Sequence, residues 1–503
     1  MIPAPELDFN AVLPLLIVSV GALVVLVADL MLRGRKTFLG RTITPEWVGS
    51  VLAVASAFFL GLVLYVTSQN FVMDDAPVFN PARPMIELDR LANFSIAVIA
   101  LGALLSCLLS VAYLAELRIN HGEYYALLLL ATSGMILLVS AVDLIAVFLG
   151  IELMSIPIYV LAGFDRRRLR SNESALKYFL VGSFASALML YGMAFLYGAT
   201  GETGFVGVST GFESKSALAT IGLGLVLVGF TFKISSVPFH QWTPDVYEGA
   251  PTSVTAFMSV TVKVAAFAAM LRIFVEAFAG AAESLQAVLW VIAALTIVIG
   301  NFMAVIQDNV KRLLAYSSVA HAGYLLMGFV AGTPEGYSAV LFYLLVYLFM
   351  NLGAFAVVVS LAHRGRDADR IDSFAGLAKS RPGLAALMTL FMLSLAGIPG
   401  TGGFVAKFQI FAASVQAGYL GLTILAVLSS VVSVYYYLRL PVAMYMREPG
   451  EEAGRTDLSS GEWVVLAVCG AAVVLLGILP NNEIFGFSLH ALDWSRASIL
   501  TMQ

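Results

Sequence analysis

Charge is scarce in this sequence. Only 12% of its 503 residues are Asp, Glu, Lys or Arg, while 60% are hydrophobic and the mean hydropathy is +0.91. A soluble globular domain carries about 25% charged residues, so the composition excludes that class and indicates an integral membrane protein. The formal net charge of -4 and the lack of a basic tail argue against a nucleic-acid partner.

Cysteine is almost absent as well. Cys107 and Cys469 stand singly in apolar runs, and no C-x-x-C pair occurs, which leaves disulfides, iron–sulfur clusters and zinc without support. The sequence also lacks a nucleotide-binding motif. We therefore expect no cofactor and no metal on this chain. The start, MIPAPELDF, has no basic segment, so the first apolar run is predicted to be a retained span rather than a signal peptide.

Long apolar runs, in contrast, recur along the whole chain. Each is about 20 residues long, enough to cross the roughly 30 Å of a bilayer's hydrocarbon core. They predict an all-α polytopic membrane protein with about fourteen transmembrane helices, surrounded by lipid. Two neighbouring pairs of spans are separated by very short junctions, at Asp143 and at Lys311.

The basic residues alternate between loops, as the positive-inside rule requires. Eighteen of the 28 fall in odd-numbered loops, four in even-numbered loops and termini, and six inside the predicted spans. Both termini are therefore predicted to lie on the outer, periplasmic side of a bacterial inner membrane. The odd-loop residues are Arg33, Arg35, Lys36, Arg41, Arg118, Arg166, Arg167, Arg168, Arg170, Lys311, Arg312, Arg364, Arg366, Arg370, Lys379, Arg381, Arg447 and Arg455; the even-loop and terminal ones are Arg83, Arg90, Lys215 and Arg496.

Two segments of the chain have the same helix count. Spans 4–8 (residues 123–278) and spans 9–13 (residues 279–446) each contain five predicted helices, and an odd number forces the second segment into the opposite orientation. They predict two inverted five-helix repeats. Residues 1–122 supply three earlier helices, and residues 447–503 supply helix 14 and a tail.

The fourth helix of each predicted repeat is interrupted. In GFTFKISSVPFHQW, Lys233 precedes Pro238 by five residues, and in GIPGTGGFVAKF, Lys407 follows a run of Gly and Pro. A broken spanning helix frees backbone groups that need water or polar side chains. The sequence thus predicts hydrated lysines at related places in two inverted halves, as in a transporter with one half-path from each face. Alternatively, Gly and Pro only ease helix packing.

Other ionisable residues lie within the spans. Lys263 is near the middle of its span, where its side chain cannot reach either interface, and Glu152 is the carboxylate near a span centre. Burial favours the neutral acid, whereas a nearby lysine favours the ionised pair. Lys177 and Lys233 are both candidate partners for Glu152, and a neutral Glu152 that only joins helices is the alternative.

The remaining embedded residues carry weaker signals. His321 lies mid-span among serines and a tyrosine, so it is either a proton relay or a hydrogen-bonded contact between helices. His240 is predicted near the inner mouth of the seventh span. Arg272 and Arg439 are predicted to extend to the membrane interface and to do nothing more.

Three strings carry a family resemblance: VPFHQWTPDVYEGAPTSVTAFMSVTVKVAAF, NVKRLLAYSSVAHAGY and GIPGTGGFVAKF. They resemble the antiporter-like membrane subunits of respiratory complex I over roughly residues 90–446, and PDVYEGAPT with Lys407 is most similar to the bacterial subunit N branch of NADH:quinone oxidoreductase. The resemblance implies a proton-translocating subunit without a redox centre. Residues with implied roles are Glu152 as the fifth-helix glutamate, Lys177 and Lys233 as its paired lysines, Lys263 as the central lysine, and Lys407 as the terminal lysine toward the outer side.

The resemblance also implies partners. Other membrane subunits of complex I, both antiporter-like and small, would adjoin this chain, and NADH, flavin, iron–sulfur clusters and quinone would be bound by partner subunits. Two other classes stay open: a subunit of an Mrp-type sodium/proton antiporter or related membrane-bound redox complex, and a structural membrane subunit whose buried charges only hold the helices in register.

Overall fold

The computed structural model describes residues 6–32, 37–38, 41–42, 44–73, 76–212, 216–362, 368–448, 458–480, 483–484, 487–488 and 491–500. Seven of the basic residues used to orient the chain lie outside these ranges: Arg33, Arg35, Lys36, Lys215, Arg364, Arg366 and Arg455.

Helices dominate the described structure. They are α1 (Leu13–Leu32), α2 (Pro45–Met73), α3 (Arg90–Glu116), α4 (Gly122–Val139), α5 (Leu144–Ala162), α6 (Leu169–Thr200), α7 (Phe205–Phe212), α8 (Ala217–Lys233), α9 (Trp242–Gly249), α10 (Thr252–Arg272), α11 (Ala282–Val305), α12 (Val310–Ala331), α13 (Pro334–Ser360), α14 (Leu377–Ser380), α15 (Pro382–Ala396), α16 (Gly402–Gln416), α17 (Leu420–Met446), α18 (Ser460–Ile478) and α19 (Ala491–Leu500).

The other described elements are short. Single helical turns cover Phe9–Val12, Ala279–Ala281 and Ile371–Phe374, and a π-helical turn, Ile273–Ala277, continues α10. Two antiparallel hairpins pair β1 (Thr37–Phe38) with β2 (Arg41–Thr42) and β3 (Glu483–Ile484) with β4 (Phe487–Ser488).

Twelve of the described helices are long and apolar enough to cross a membrane. Two further crossings are interrupted: α8 and α9 are separated by residues 234–241, and α15 and α16 by residues 397–401. Counting each interrupted pair as one crossing agrees with the predicted number, but both that number and the division at residues 122, 278 and 446 stay predictions.

Polar caps separate the spans that the sequence brings closest together. The side chain of Asp143 accepts a hydrogen bond from the amide of Ile145 at 2.7 Å and so starts α5. Asn309 does the same for α12, accepting from the amide of Arg312 at 3.0 Å. Because a cap replaces an amide's missing helical partner, both short junctions are true helix boundaries.

Alternate loops meet on a common face. On one side, Asp8 N donates to Phe79 O at 3.0 Å, and Glu87 N donates to Ser140 O at 2.8 Å. On the other side, Asn309 pairs with Arg370 in an isolated bridge, joining two odd-numbered loops. We call the side of the odd-numbered loops the basic face and the side of the even-numbered loops the opposite face. The described loops that the sequence predicts to share a side of the membrane thus meet one another in the structure.

The centre of the bundle consists of α10, α12 and α13. The first is buried along its whole length and the other two almost so, whereas α1, α2, α6 and α17 expose apolar side chains on their outer sides. A helix enclosed by other helices can carry polar groups that lipid would not tolerate. The candidate functional residues lie on and around these three helices.

Close backbone contact between α4 and α5 depends on Gly134. A Cβ added at Gly134 would lie 2.1 Å from the amide nitrogen of Met154, whereas one added at Gly224 on α8 would meet nothing within 4 Å. Small residues let membrane helices approach this closely. The backbone contact at Gly134 is thus a packing constraint, and Gly224 offers a matched comparison.

We expect Gly134→Ala to destabilise the protein by about 1–3 kcal/mol, because α5 must move to admit the methyl group. Gly224→Ala should be neutral or stabilising by up to about 1 kcal/mol, since alanine favours helix. The thermal unfolding midpoint in detergent-solubilised membranes measures both changes. Equal midpoints for the two variants would contradict the packing constraint.

Candidate functional site

Lys233 lies at the end of α8, immediately before the first interruption. Its side chain is buried, with 3% exposed, and its Nζ donates to the hydroxyl of Ser155 at 2.6 Å and to that of Tyr159 at 3.4 Å. The Nζ also lies 5.9 Å from the ring centroid of Tyr178. The ammonium is thus solvated by two hydroxyls and aromatic faces rather than left bare in an apolar interior.

The interruption after Lys233 is held by side chains from elsewhere. Ser235 adopts a left-handed φ of 63°, and the amide of Val237 donates to the hydroxyl of Thr296 on α11 at 3.0 Å. The indole of Trp242 donates to the carbonyl of Phe232 at 3.2 Å. The freed backbone groups therefore find polar side chains, and one of these comes from the second predicted repeat.

Glu152 lies on α5, three residues before Ser155 and thus on the same face of that helix. It is half-buried. Its Oε1 is buried and makes no hydrogen bond within the described part of the chain. The structure thus places Glu152 one helical turn from Ser155, the hydroxyl that accepts from Lys233.

Lys177 does not make the pairing with Glu152 that the family resemblance implies. Its Nζ contacts Oε1 of Glu173 at 2.7 Å and Oδ2 of Asp245 at 2.8 Å, and the side chain is 45% exposed. The physical reason is proximity, because two carboxylates near the basic face already surround the ammonium. The role of Lys177 in proton transfer stays a prediction.

Lys263 is at the centre of α10. It is 1% exposed, its Nζ donates a short hydrogen bond to the backbone carbonyl of Ser318 on α12, and it lies 5.6 Å from the ring centroid of Tyr347 on α13. These three helices are the enclosed ones. Lys263 is thus near the middle of its helix and buried among other helices, and the structure supplies its acceptor.

Aromatic side chains fill the space between Lys233 and Lys263. Tyr178 stacks on Trp242 with ring centroids 4.3 Å apart, and Trp242 meets Tyr247 edge to face at 6.4 Å. The hydroxyl of Tyr247 lies 3.5 Å from the side-chain hydroxyl of Ser318. The backbone carbonyl of the same serine accepts from Lys263. The first lysine is thus connected to the second through rings rather than through a continuous hydrogen-bonded chain.

His321 is held by two tyrosines. Its Nδ1 is 2.6 Å from the hydroxyl of Tyr343 on α13, and its Nε2 is 3.0 Å from that of Tyr437 on α17. Tyr437 also shares a hydrogen bond with Ser317. A tyrosine hydroxyl can donate or accept, so both ring nitrogens keep a partner whether the imidazole is neutral or charged.

Lys407 lies on α16, just beyond the second interruption. It is 4% exposed and donates to the carbonyl of Ala396 and to the hydroxyl of Ser430, both at 2.9 Å. Its Nζ also lies 5.1 Å from the ring centroid of Tyr324. The Ala396 carbonyl is the last of α15, and the interruption leaves it free to accept from the lysine.

His240 lies in the first interruption, between α8 and α9. The ring is half-buried, and its Nδ1 is buried without a hydrogen-bond partner among the described residues. No hydrogen bond among the described residues joins His240 to any of the lysines, so its predicted role stays a prediction.

The two embedded arginines behave differently from each other. Arg439 donates to the carbonyl of Val305 at 2.9 Å and thus extends to the basic face, as predicted. Arg272, in contrast, is 1% exposed and forms ion pairs with Asp89 and Glu276 beside a cavity of about 380 Å³. Its predicted position at the membrane interface stays a prediction, but the two ion pairs give Arg272 partners that the sequence did not indicate.

Sequence reasoning missed most of the hydroxyl groups around these charges. Tyr343 and Tyr347 follow a helical spacing of four, which places both on the face of α13 that meets α10 and α12. That spacing was a usable signal. Ser155 and Ser430 had none, because a single serine in an apolar helix is common.

Metal ligands do not cluster in the described residues. No group of three or more His, Cys, Asp or Glu side chains with the geometry to hold a metal ion occurs there. Cys107 and Cys469 are both buried as free thiols.

A family model described as NADH:quinone oxidoreductase/Mrp antiporter, transmembrane, matches residues 141–433. NADH-quinone oxidoreductase subunit N from Trichlorobacter lovleyi is 43% identical over 481 residues, which cover 94% of this chain and 95% of that protein. The subunit N of Myxococcus xanthus is 42% identical, with the same coverage of 94% and 95%.

Solved structures show the same fold. A chain of respiratory complex I from Thermus thermophilus with bound aureothin has a TM-score of 0.77 at 34% identity, covering 93% of this chain and 97% of that one. A chain of the Mrp complex from Dietzia sp. has a TM-score of 0.84 at 22% identity, covering 98% of both chains, a likeness of fold alone. From these matches over nearly its whole length, the chain belongs to the subunit N family of NADH-quinone oxidoreductases.

Proposed function

We propose that this chain is a proton-translocating membrane subunit of a bacterial NADH:quinone oxidoreductase. The observation that carries the proposal is the row of ionisable groups that crosses the bundle: the half-buried Glu152 and the buried Lys233, Lys263, His321 and Lys407. Each lies on a separate helix. Such groups are costly in a membrane and are kept where protons or ions pass.

The contacts suit lysines that gain and lose protons. Each ammonium has a hydroxyl or a carbonyl as acceptor, and when a lysine is neutral its amine can accept from a hydroxyl such as that of Ser155 or Ser430. Lysine changes its protonation state readily when buried, whereas arginine does not. The carriers in this proposal are Lys233, Lys263 and Lys407, and His321 is a relay between the last two.

The energy must come from elsewhere in the complex. Moving one proton outward against the membrane potential costs about 2.3 kcal/mol per 100 mV. In the proposed complex, NADH oxidation and quinone reduction in partner subunits, with their flavin and iron–sulfur clusters, supply it. Neighbouring antiporter-like and small membrane subunits transmit it. Protons would enter from the basic, cytoplasmic face, and both termini would lie on the periplasmic side.

Two alternatives have distinct signatures. An Mrp-type antiporter subunit would exchange sodium for protons without NADH, and a structural subunit would tolerate neutralised charges. The identities of 42–43% over nearly the whole length to chains named subunit N favour the respiratory complex.

We expect Lys263→Ala to abolish most NADH-driven proton pumping, because no neighbouring side chain of α10 can replace its proton. Lys263→Arg should fail as well, since arginine keeps its charge but does not release a proton. Proton uptake by vesicles containing the assembled complex measures this. Near-normal uptake in the arginine variant would refute a carrier role for Lys263.

Glu152 should act through its charge. Because a neighbouring carboxylate favours the charged form of a lysine, Glu152→Gln should lower the proton affinity of Lys233 and impair pumping. Glu152→Asp should retain part of the activity. Equal pumping by the Gln and Asp variants would indicate packing instead.

The second interruption allows a matched test of Lys407. Gly397 and Gly400 have left-handed φ values of 85° and 86°, so alanine should cost a similar backbone strain of about 1–2 kcal/mol at each. A Cβ at Gly397 would lie 2.9 Å from Cδ of Lys407, whereas one at Gly400 meets nothing within 4 Å. Gly397→Ala should therefore reduce proton translocation per NADH more than Gly400→Ala. Equal numbers of protons translocated per NADH in the two variants would show that the contact with Lys407 is unimportant.

A further inference from the structure

A compact group of opposite charges lies near the basic face, away from the row of buried carriers. It contains three acidic and three basic side chains beside a cavity of about 260 Å³. We call it the α9 ion cluster; its members are Arg170, Glu173, Lys177, Asp245, Glu248 and Arg312.

Both carboxylates of α9 are bound from two sides. Asp245 accepts from Lys177 of α6 at 2.8 Å through Oδ2 and from Arg312 of α12 at 2.8 Å through Oδ1. Glu248 accepts from Arg312 at 2.9 Å and from Arg170 of α6 at 3.2 Å. The short helix α9 is therefore tied by charge to α6 on one side and to α12 on the other.

The position of α9 bears directly on Lys233. Trp242, the first residue of α9, donates to the carbonyl of Phe232 and stacks on Tyr178, whose ring lies beside the ammonium of Lys233. A shift of α9 would move the indole and with it the wall of the lysine's pocket. The α9 ion cluster is thus connected to the pocket of Lys233 through Trp242 of α9, and none of its hydrogen bonds reaches Lys233 directly.

Lys177 is fully engaged in this cluster. Its Nζ has carboxylate oxygens of Glu173 and Asp245 at 2.7 and 2.8 Å, and 45% of its side chain is exposed. A lysine in that setting keeps its proton, because two adjacent carboxylates stabilise the charged form. It has the surroundings of an ion-pair partner, unlike the buried Lys233.

We propose that Lys177 is a positioning residue that holds α9 through Asp245, and that it neither carries protons nor pairs with Glu152. This inference rests on the proposed function. It predicts that arginine can replace Lys177, whereas arginine cannot replace a lysine that must release its proton. Arginine can reach both carboxylates and donate to each.

The test uses the whole complex in proteoliposomes, with assembly verified and protons counted per NADH oxidised. Lys177→Arg should pump close to wild type with an unchanged pH profile, whereas Lys177→Gln should lose much of the pumping. Lys263→Arg is the reference for a carrier and should lose most of it. Lys379→Gln, which removes an exposed ion pair with Glu448 at the same face, is the matched control and should have no effect.

Double variants identify the partner. If Lys177 acts through Asp245, the pair Lys177→Gln and Asp245→Asn should lose no more pumping than the worse single variant, because residues in one interaction are non-additive. Lys177→Gln combined with Glu152→Gln should lose the product of the two single effects. If instead the losses multiply for Lys177→Gln with Asp245→Asn and do not multiply for Lys177→Gln with Glu152→Gln, Lys177 acts through Glu152 and the inference is overturned.

The arginine variants separate this inference from the proposed function. A loss for Lys177→Arg as large as that for Lys263→Arg would make Lys177 a carrier and would refute its positioning role alone. Normal pumping by Lys263→Arg would refute the carrier role of Lys263 in the proposed function, whatever the result for Lys177→Arg.

Discussion

The cost of an unsolvated charge within the bundle controls the arrangement of this protein. Lys233, Lys263 and Lys407 are each at most 4% exposed, and an ammonium without acceptors there would cost several kcal/mol. Each has an acceptor from a helix other than its own. The helices that carry these lysines can therefore lie only where those hydroxyls and carbonyls meet them.

The interruptions supply part of that solvation. Breaking α15 leaves the carbonyl of Ala396 free, and Lys407 uses it. At the first interruption, the hydroxyl of Thr296 on α11 accepts from the amide of Val237, and the α9 ion cluster joins the next segment to α12. The two predicted repeats are thus connected by hydrogen bonds and ion pairs beside the first interruption.

Hydroxyl groups give the row of charges its chemical versatility. Tyr343 and Tyr437 hold His321 on both sides, and Ser155 serves Lys233. Each can donate or accept, so a proton can be gained or lost without leaving a buried group unpartnered. The aromatic stack of Tyr178 and Trp242 offers no hydroxyl between its rings, so the hydrogen-bonded groups of Lys233 and Lys263 are joined there by ring contacts.

Hydropathy and the spacing of Gly and Pro determined the helical class, both interruptions and the place of Lys263 near the middle of its helix, because these depend on local sequence and on the thickness of a bilayer. Which groups meet depended on the tertiary structure. Lys177 and Arg272 show this: both are cations within apolar segments, yet one lies with Asp245 near the basic face and the other is enclosed with Asp89. The partners are 68 and 183 residues away along the chain, and no local pattern encodes contacts at that separation, because the packing of whole helices brings them together.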